Sequence, residues 1–129
     1  MTLILCVDDR GDLMFNRRRQ SQDRLVRTDM LRLCGERPLA VSPYTARQFD
    51  PEDRLKVTQE PGEEDIFFLE DLPPQPFLER AEKLVLYHWN RVYPGDVHIA
   101  LPPQGWSLEE QVEFPGHSHE TITREVYSR

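Results

Sequence analysis

Five consecutive apolar residues near the start, Leu3-Ile4-Leu5-Cys6-Val7, constrain this chain more than any other feature. An apolar run with no polar alternation suits a strand covered on both faces, as in a parallel sheet packed between helices. Asp65 to Leu69 reads as a second buried strand and Lys83 to Val92 as a long one. Helical patterns lie between them. Ser21 is a suitable N-cap for a helix over roughly 22–34, in which Val26, Met30, Leu33 and Arg37 fall on one stripe and Gly35 supplies the stop. Pro38 to Val41 predicts a short strand. Ser42-Pro43 reads as N-cap and first position of a helix from Tyr44 to Phe49.

Arg54 to Thr58 reads as a further strand, and Phe77, Leu78 and Ala81 give a helix over 77–82 an apolar side for the sheet. The last two strands, about 108–114 and 120–127, alternate around Pro115-Gly116-His117-Ser118-His119, the pattern of a closing antiparallel hairpin. Strands alternating with helices and ending in a hairpin define an α/β fold: a mainly parallel central sheet with flanking helices and an antiparallel C-terminal hairpin. At 129 residues the whole chain, 1–129, is expected to be one domain.

Composition removes several function classes. A net charge of −7 argues against nonspecific grip on nucleic acid, which depends on neutralising phosphates. No apolar run approaches the ~20 residues a membrane helix requires, and the first residues lack a basic leader and cleavage site, so no membrane contact and a cytoplasmic location are expected. Cys6 and Cys34 have neither a disulfide framework nor zinc spacing and read as buried, reduced thiols. His117-Ser118-His119-Glu120 is faintly similar to the His-x-His start of metallo-β-lactamase-type nucleases. It lacks the aspartate and further histidine of such sites, and only His88 and His98 stand elsewhere, so no metal is expected.

The block Ile66-Phe67-Phe68-Leu69 through Phe77 to Trp89 and on to Gly95-Asp96-Val97-His98 resembles the dihydrofolate reductase family, without a gap. Gly105-Trp106-Ser107 to Phe114 and Ser118-His119 to Tyr127 resemble its last two strands. The resemblance implies a dihydrofolate-reductase-like fold over essentially the whole chain. It also locates departures. Leu69, Glu70 and Asp71 stand where the family has a glycine triplet facing the cofactor pyrophosphate, and two carboxylates repel a diphosphate. Ser42-Pro43-Tyr44-Thr45 replaces a Gly-Arg-x-Thr turn and keeps only Thr45. The Pro-Trp pair of the family's active-site loop is absent, with arginines near its place. No cofactor is therefore expected, with NADP the weak alternative.

The resemblance places Asp23 where the family has its proton-supplying carboxylate, although an acid in a first helical turn is also favoured by the helix dipole. It places Tyr87 where a small hydroxyl residue lines the pocket. Arg17-Arg18-Arg19, with Arg24 and Arg27 behind them, is the sharpest concentration of charge, and arginine forks suit phosphates or carboxylates. Asp23 is the candidate catalytic residue; Arg17, Arg18, Arg19, Arg27, Thr45 and Tyr87 are candidate ligand-binding residues. Three functions are open: a module for a small anionic ligand or a protein partner, a reductase using a nicotinamide or flavin through altered contacts, and an RNA-binding or RNA-processing protein working through the arginine loop.

Overall fold

The computed structural model describes residues 1–129. A seven-stranded sheet runs through the molecule, built from β1 (Thr2–Val7), β4 (Leu39–Val41), β5 (Leu55–Val57), β6 (Ile66–Phe68), β7 (Lys83–His88), β9 (Ser107–Phe114) and β10 (Ile122–Ser128). Its order is β5-β4-β6-β1-β7-β10-β9; β10 runs antiparallel to both of its neighbours, β7 and β9, and the other pairs are parallel. The helices are α1 (Arg24–Cys34), α2 (Pro43–Ala46) and α3 (Gln75–Arg80).

Alternation along β1 divides the interior in two. Ile4 and Cys6 join Val26, Met30 and Cys34 of α1, with Val85, Tyr87 and Ile122, on one face. Leu3, Leu5 and Val7 join Phe67, Leu84 and Leu86 on the other, where Phe77 and Leu78 of α3 pack. Each fully buried Leu or Ile here stabilises the fold by roughly 2–3 kcal/mol relative to exposure. Both thiols are buried and free.

Several local expectations change, and the helix expected from Tyr44 to Phe49 spans Pro43–Ala46. The N-cap of α1 is Asp23, whose side chain accepts from the Leu25 amide, and not Ser21. The buried stripe continues through Cys34, leaving Leu33 exposed, because Val26, Met30 and Cys34 keep an i, i+4, i+8 spacing. The long strand stops at His88, since Asn90 turns into the left-handed region at φ 58°. The segment after β1 also forms strands: β2 (Asp12–Phe15) and β3 (Arg18–Arg19) make, with β8 (Val97–His98), a small antiparallel sheet in the order β3-β2-β8. Its hairpin turns on Asn16 and Arg17, both at positive φ (52° and 61°), the backbone of a two-residue type I′ loop.

Candidate functional site

The crevice at the carboxyl ends of parallel strands is where sheets of this kind bind ligands. Here β6 runs out into Leu69-Glu70-Asp71, and β4 into the Ser42 cap of α2. Ser42 Oγ accepts from the Thr45 amide at 3.2 Å and donates to Asp71 Oδ1 at 3.0 Å, so Thr45 is buried beneath the turn and Asp71 is tied to it.

The arginine hairpin closes this crevice from within. Arg19 Nε donates to Glu70 Oε2 at 3.0 Å, and its guanidinium lies 4.3 Å from the centroid of the Tyr44 ring. The Arg19 amide donates to Tyr44 Oη at 3.1 Å. Gln48 Nε2 donates to the other Glu70 oxygen at 2.6 Å, and Gln48 Oε1 accepts from Arg27. Burial raises the Glu70 carboxyl above its ordinary range; the Arg19 contact opposes that rise without cancelling it. The two segments that the resemblance links to cofactor phosphates thus meet on one arginine of the same chain.

Arg17 and Arg18 stay exposed at the hairpin tip, each on its own groove. The groove on the Arg17 side, about 660 Å³, also carries Asp71 and Asp96. The one on the Arg18 side, about 470 Å³, is lined by Phe15, Asn16, Arg18, Arg19, Gln20 and Pro94, with two cations and no carboxylate.

Asp23 stands in a second cluster, at the junction of α1 with the β9–β10 turn. Its Oδ1 accepts from the amides of Leu25 and His117, and its Oδ2 from the amide and hydroxyl of Ser118 and from His119 Nδ1 at 2.9 Å. Burial would raise its pKa, but these bonds, led by the His117 amide, hold it far below the ordinary carboxylate range. His119 stacks on Trp89, with ring centroids 4.7 Å apart. Its Nε2 lies 2.8 Å from Tyr93 Oη and 3.2 Å from Ser21 Oγ.

Ser21, His119 and Asp23 thus share the hydrogen-bond order of a nucleophile, its base and an orienting carboxylate. Two features oppose that chemistry. The nearer donor to the base is Tyr93, and the enclosed space beside Ser21, Cys6 and Trp89 is about 10 Å³, enough for one water. The cluster works as a clamp joining helix to hairpin.

Tyr87 fills the space between β7 and α1. It is fully buried, donates to Asp29 Oδ2 at 2.6 Å, and its hydroxyl pKa is pushed strongly upward by burial and then by Asp29. Arg124 grips both oxygens of the same Asp29. Of the sequence candidates, the structure gathers Arg19, Arg27 and Thr45 around Glu70 and Gln48. Asp23 and Tyr87 lie apart from that group, and Arg17 and Arg18 point outward from it. Sequence reasoning weighed His119 only within a His-x-His metal pattern and gave no role to Tyr93, Trp89 or Gln48. Asp23 and His119 are separated by 96 positions and no spacing rule links them. The signals were the His-x-His pattern and the placement of Ser118-His119 in a predicted turn, and neither pointed to Asp23.

No family model matches the chain. No curated protein matches it by sequence. Among solved structures, a dihydrofolate reductase from Enterococcus faecalis, complexed with NADP(H) and RAB-propyl, is similar at TM-score 0.65 and 11% identity, over 99% of this chain and 95% of that one. The chain therefore has a dihydrofolate-reductase-like fold, at a sequence distance where the fold alone is shared.

Proposed function

We propose that this protein is a binding module on the reductase framework, taking a small phosphate- or carboxylate-bearing ligand in the groove of Arg18 and Arg19 and not a dinucleotide in the cofactor crevice. The observation that carries this reading is the pairing of two features of Arg19. It closes the crevice by holding Glu70 and covering Tyr44, and the same residue lines a groove with Arg18 and no acid, in a chain of net charge −7. A dinucleotide in the crevice would have to displace Arg19 and leave Glu70, 7% exposed, facing phosphate. A small anion in the groove meets Arg18 directly, while Arg19 on the same wall stays held by Glu70. Asp23, with both oxygens engaged, serves the clamp in this reading and has no proton-donor role.

The test is a thermal-shift and calorimetric titration with pyrophosphate, sugar phosphates, dicarboxylates and NADPH. A ligand at a hundred times its Kd raises stability by about 2.7 kcal/mol. The expected outcome is a shift with a small anion that is lost in Arg18→Ala. Saturable NADPH binding with consumption of a dihydropterin would replace this reading with a reductase. Binding of single-stranded RNA that falls steeply with salt would replace it with the RNA reading.

A further inference from the structure

Strand β9 ends the seven-stranded sheet, bonded to β10 on one side only, so main-chain N–H and C=O groups along its outer edge are unpaired. It is also the most open strand in the molecule. Seven of its eight residues are exposed, including Leu108 at 50% and Val112 at 37%. The opposite edge of the sheet, β5, is three residues long, and its Lys56 is paired with Asp65.

The bulge at Val126/Tyr127 sets Leu108 opposite Tyr127 and Val112 opposite Arg124, so the strand presents one exposed apolar side chain on each face of the sheet, Phe114 being packed against the core. Between and beside them stand Glu109, Glu110 and Glu113, with no cation in the strand. Glu110 is held by Arg124; Glu109 and Glu113 have no ion-pair partner. Charges of one sign along an edge oppose pairing with an identical strand, because like charges directly across a ladder are destabilising. The same charges attract a strand of opposite sign.

We propose that β9 receives an extended basic segment of another protein as an eighth strand of the sheet. Main-chain hydrogen bonds supply the affinity, lysine or arginine side chains meet Glu109 and Glu113, and an apolar side chain on each face covers Leu108 and Val112. This surface lies at the far end of the sheet from the crevice of β4 and β6, and the inference is independent of the anion reading.

The probe is a fluorescent eight-residue peptide alternating Lys, Val and Thr, titrated by anisotropy into the full chain beside two controls. One control carries the same side chains with alternate amides N-methylated; the other has Glu for each Lys. Expected are saturable binding of the basic peptide, a loss of about tenfold or more on N-methylation, and no binding of the acidic peptide. Glu109→Lys with Glu113→Lys should weaken the basic peptide about tenfold while leaving the melting curve near wild type. Equal affinity for the N-methylated peptide would overturn strand addition in favour of diffuse charge attraction. Self-association of the free chain in sedimentation, reversed by the same two substitutions, would make a second copy the occupant and overturn it too. So would no binding at millimolar peptide.

Discussion

Two buried carboxylates, Asp23 and Glu70, are satisfied in opposite ways. Asp23 is 2% exposed and takes main-chain N–H groups from α1 and from the β9–β10 turn, with a hydroxyl and an imidazole added. Glu70 is 7% exposed and is met by side chains alone, those of Arg19 and Gln48 with Thr45 beside them. Its carboxyl is shifted upward while that of Asp23 is shifted downward. Amides fixed in a backbone stabilise a charge without ordering a side chain; a guanidinium on a hairpin must be held in place and can be drawn elsewhere. The first region is a joint. The second is a latch, and between them the Cys6 thiol is pushed well up by burial and then by both charges.

The largest effect follows from removing the joint. Asp23→Ala deletes a helix cap, the acceptor for two turn amides and the partner of His119, and should cost about 3–4 kcal/mol in denaturant unfolding. The pH dependence has a definite sign. With the folded pKa below the ordinary 3.8, Asp23 adds stability above about pH 4 and loses it as pH falls toward the folded value. Asp23→Asn should therefore flatten the acid limb of the stability profile. Glu70 has the opposite sign: its folded pKa lies above 4.5, so its favourable contribution is present at low pH and declines as pH rises through the folded value. If Asp23→Asn melts with the same acid limb as the wild-type chain, the contrast between joint and latch is wrong.

Opening the latch comes next. Glu70→Ala leaves Arg19 without its carboxylate; since the Arg19 side chain is 21% exposed, the loss should be about 2 kcal/mol, below the cost of breaking a fully buried pair. The freed guanidinium should then strengthen pyrophosphate binding in the groove, measurable by calorimetry, even as the fold weakens. A variant both less stable and no better at binding would detach Arg19 from the ligand groove.

How legible these regions were in the sequence differs for physical reasons. The strands of the main sheet carry unbroken or alternating apolar runs, which made their existence legible, whereas the order β5-β4-β6-β1-β7-β10-β9 came only with the structure. The small sheet carries no such signal. Arg18–Arg19 and Val97–His98 are two residues each, and Asn16-Arg17 lacks the glycine that usually marks a two-residue hairpin loop. That Leu69, Glu70 and Asp71 stand where the resemblance leads one to expect a glycine triplet was visible, and so was the cluster of arginines. That Arg19 in particular reaches Glu70, 51 positions away, depends on the hairpin turning it inward while Arg18 faces out. Ser21 was a reasonable cap by type, yet Asp23 takes the place because the same carboxylate also meets the turn from the other end of the chain.

A smaller effect concerns the filled space between β7 and α1. Tyr87→Phe keeps the ring that packs edge-on against Phe114 and removes one hydrogen bond to Asp29, which retains both bonds from Arg124. The expected loss is about 1–2 kcal/mol in chemical denaturation, with the groove's ligand affinity unchanged. A change in affinity would place the ligand between β7 and α1, on the joint's side of the molecule.

The smallest change is expected to stabilise. Arg17 adopts φ 61° at the second position of a two-residue loop whose first residue, Asn16, is at φ 52°. A side chain with a Cβ is strained there, whereas glycine is not, and Asn-Gly is the favoured pair for this turn. Arg17→Gly should raise stability by about 0.5–1 kcal/mol, because the relief of strain exceeds the greater flexibility glycine brings to the unfolded chain. The substitution also divides the hairpin tip. Arg17 lines the groove that carries Asp71 and Asp96, and Arg18 the one without acids. If the ligand sits on the Arg18 side, Arg17→Gly should hold its affinity within about twofold while Arg18→Ala weakens it about tenfold. Equal losses in the two variants would mean a ligand straddling the tip, gripped by both arginines, and the strained turn would then be the backbone conformation that presents them together.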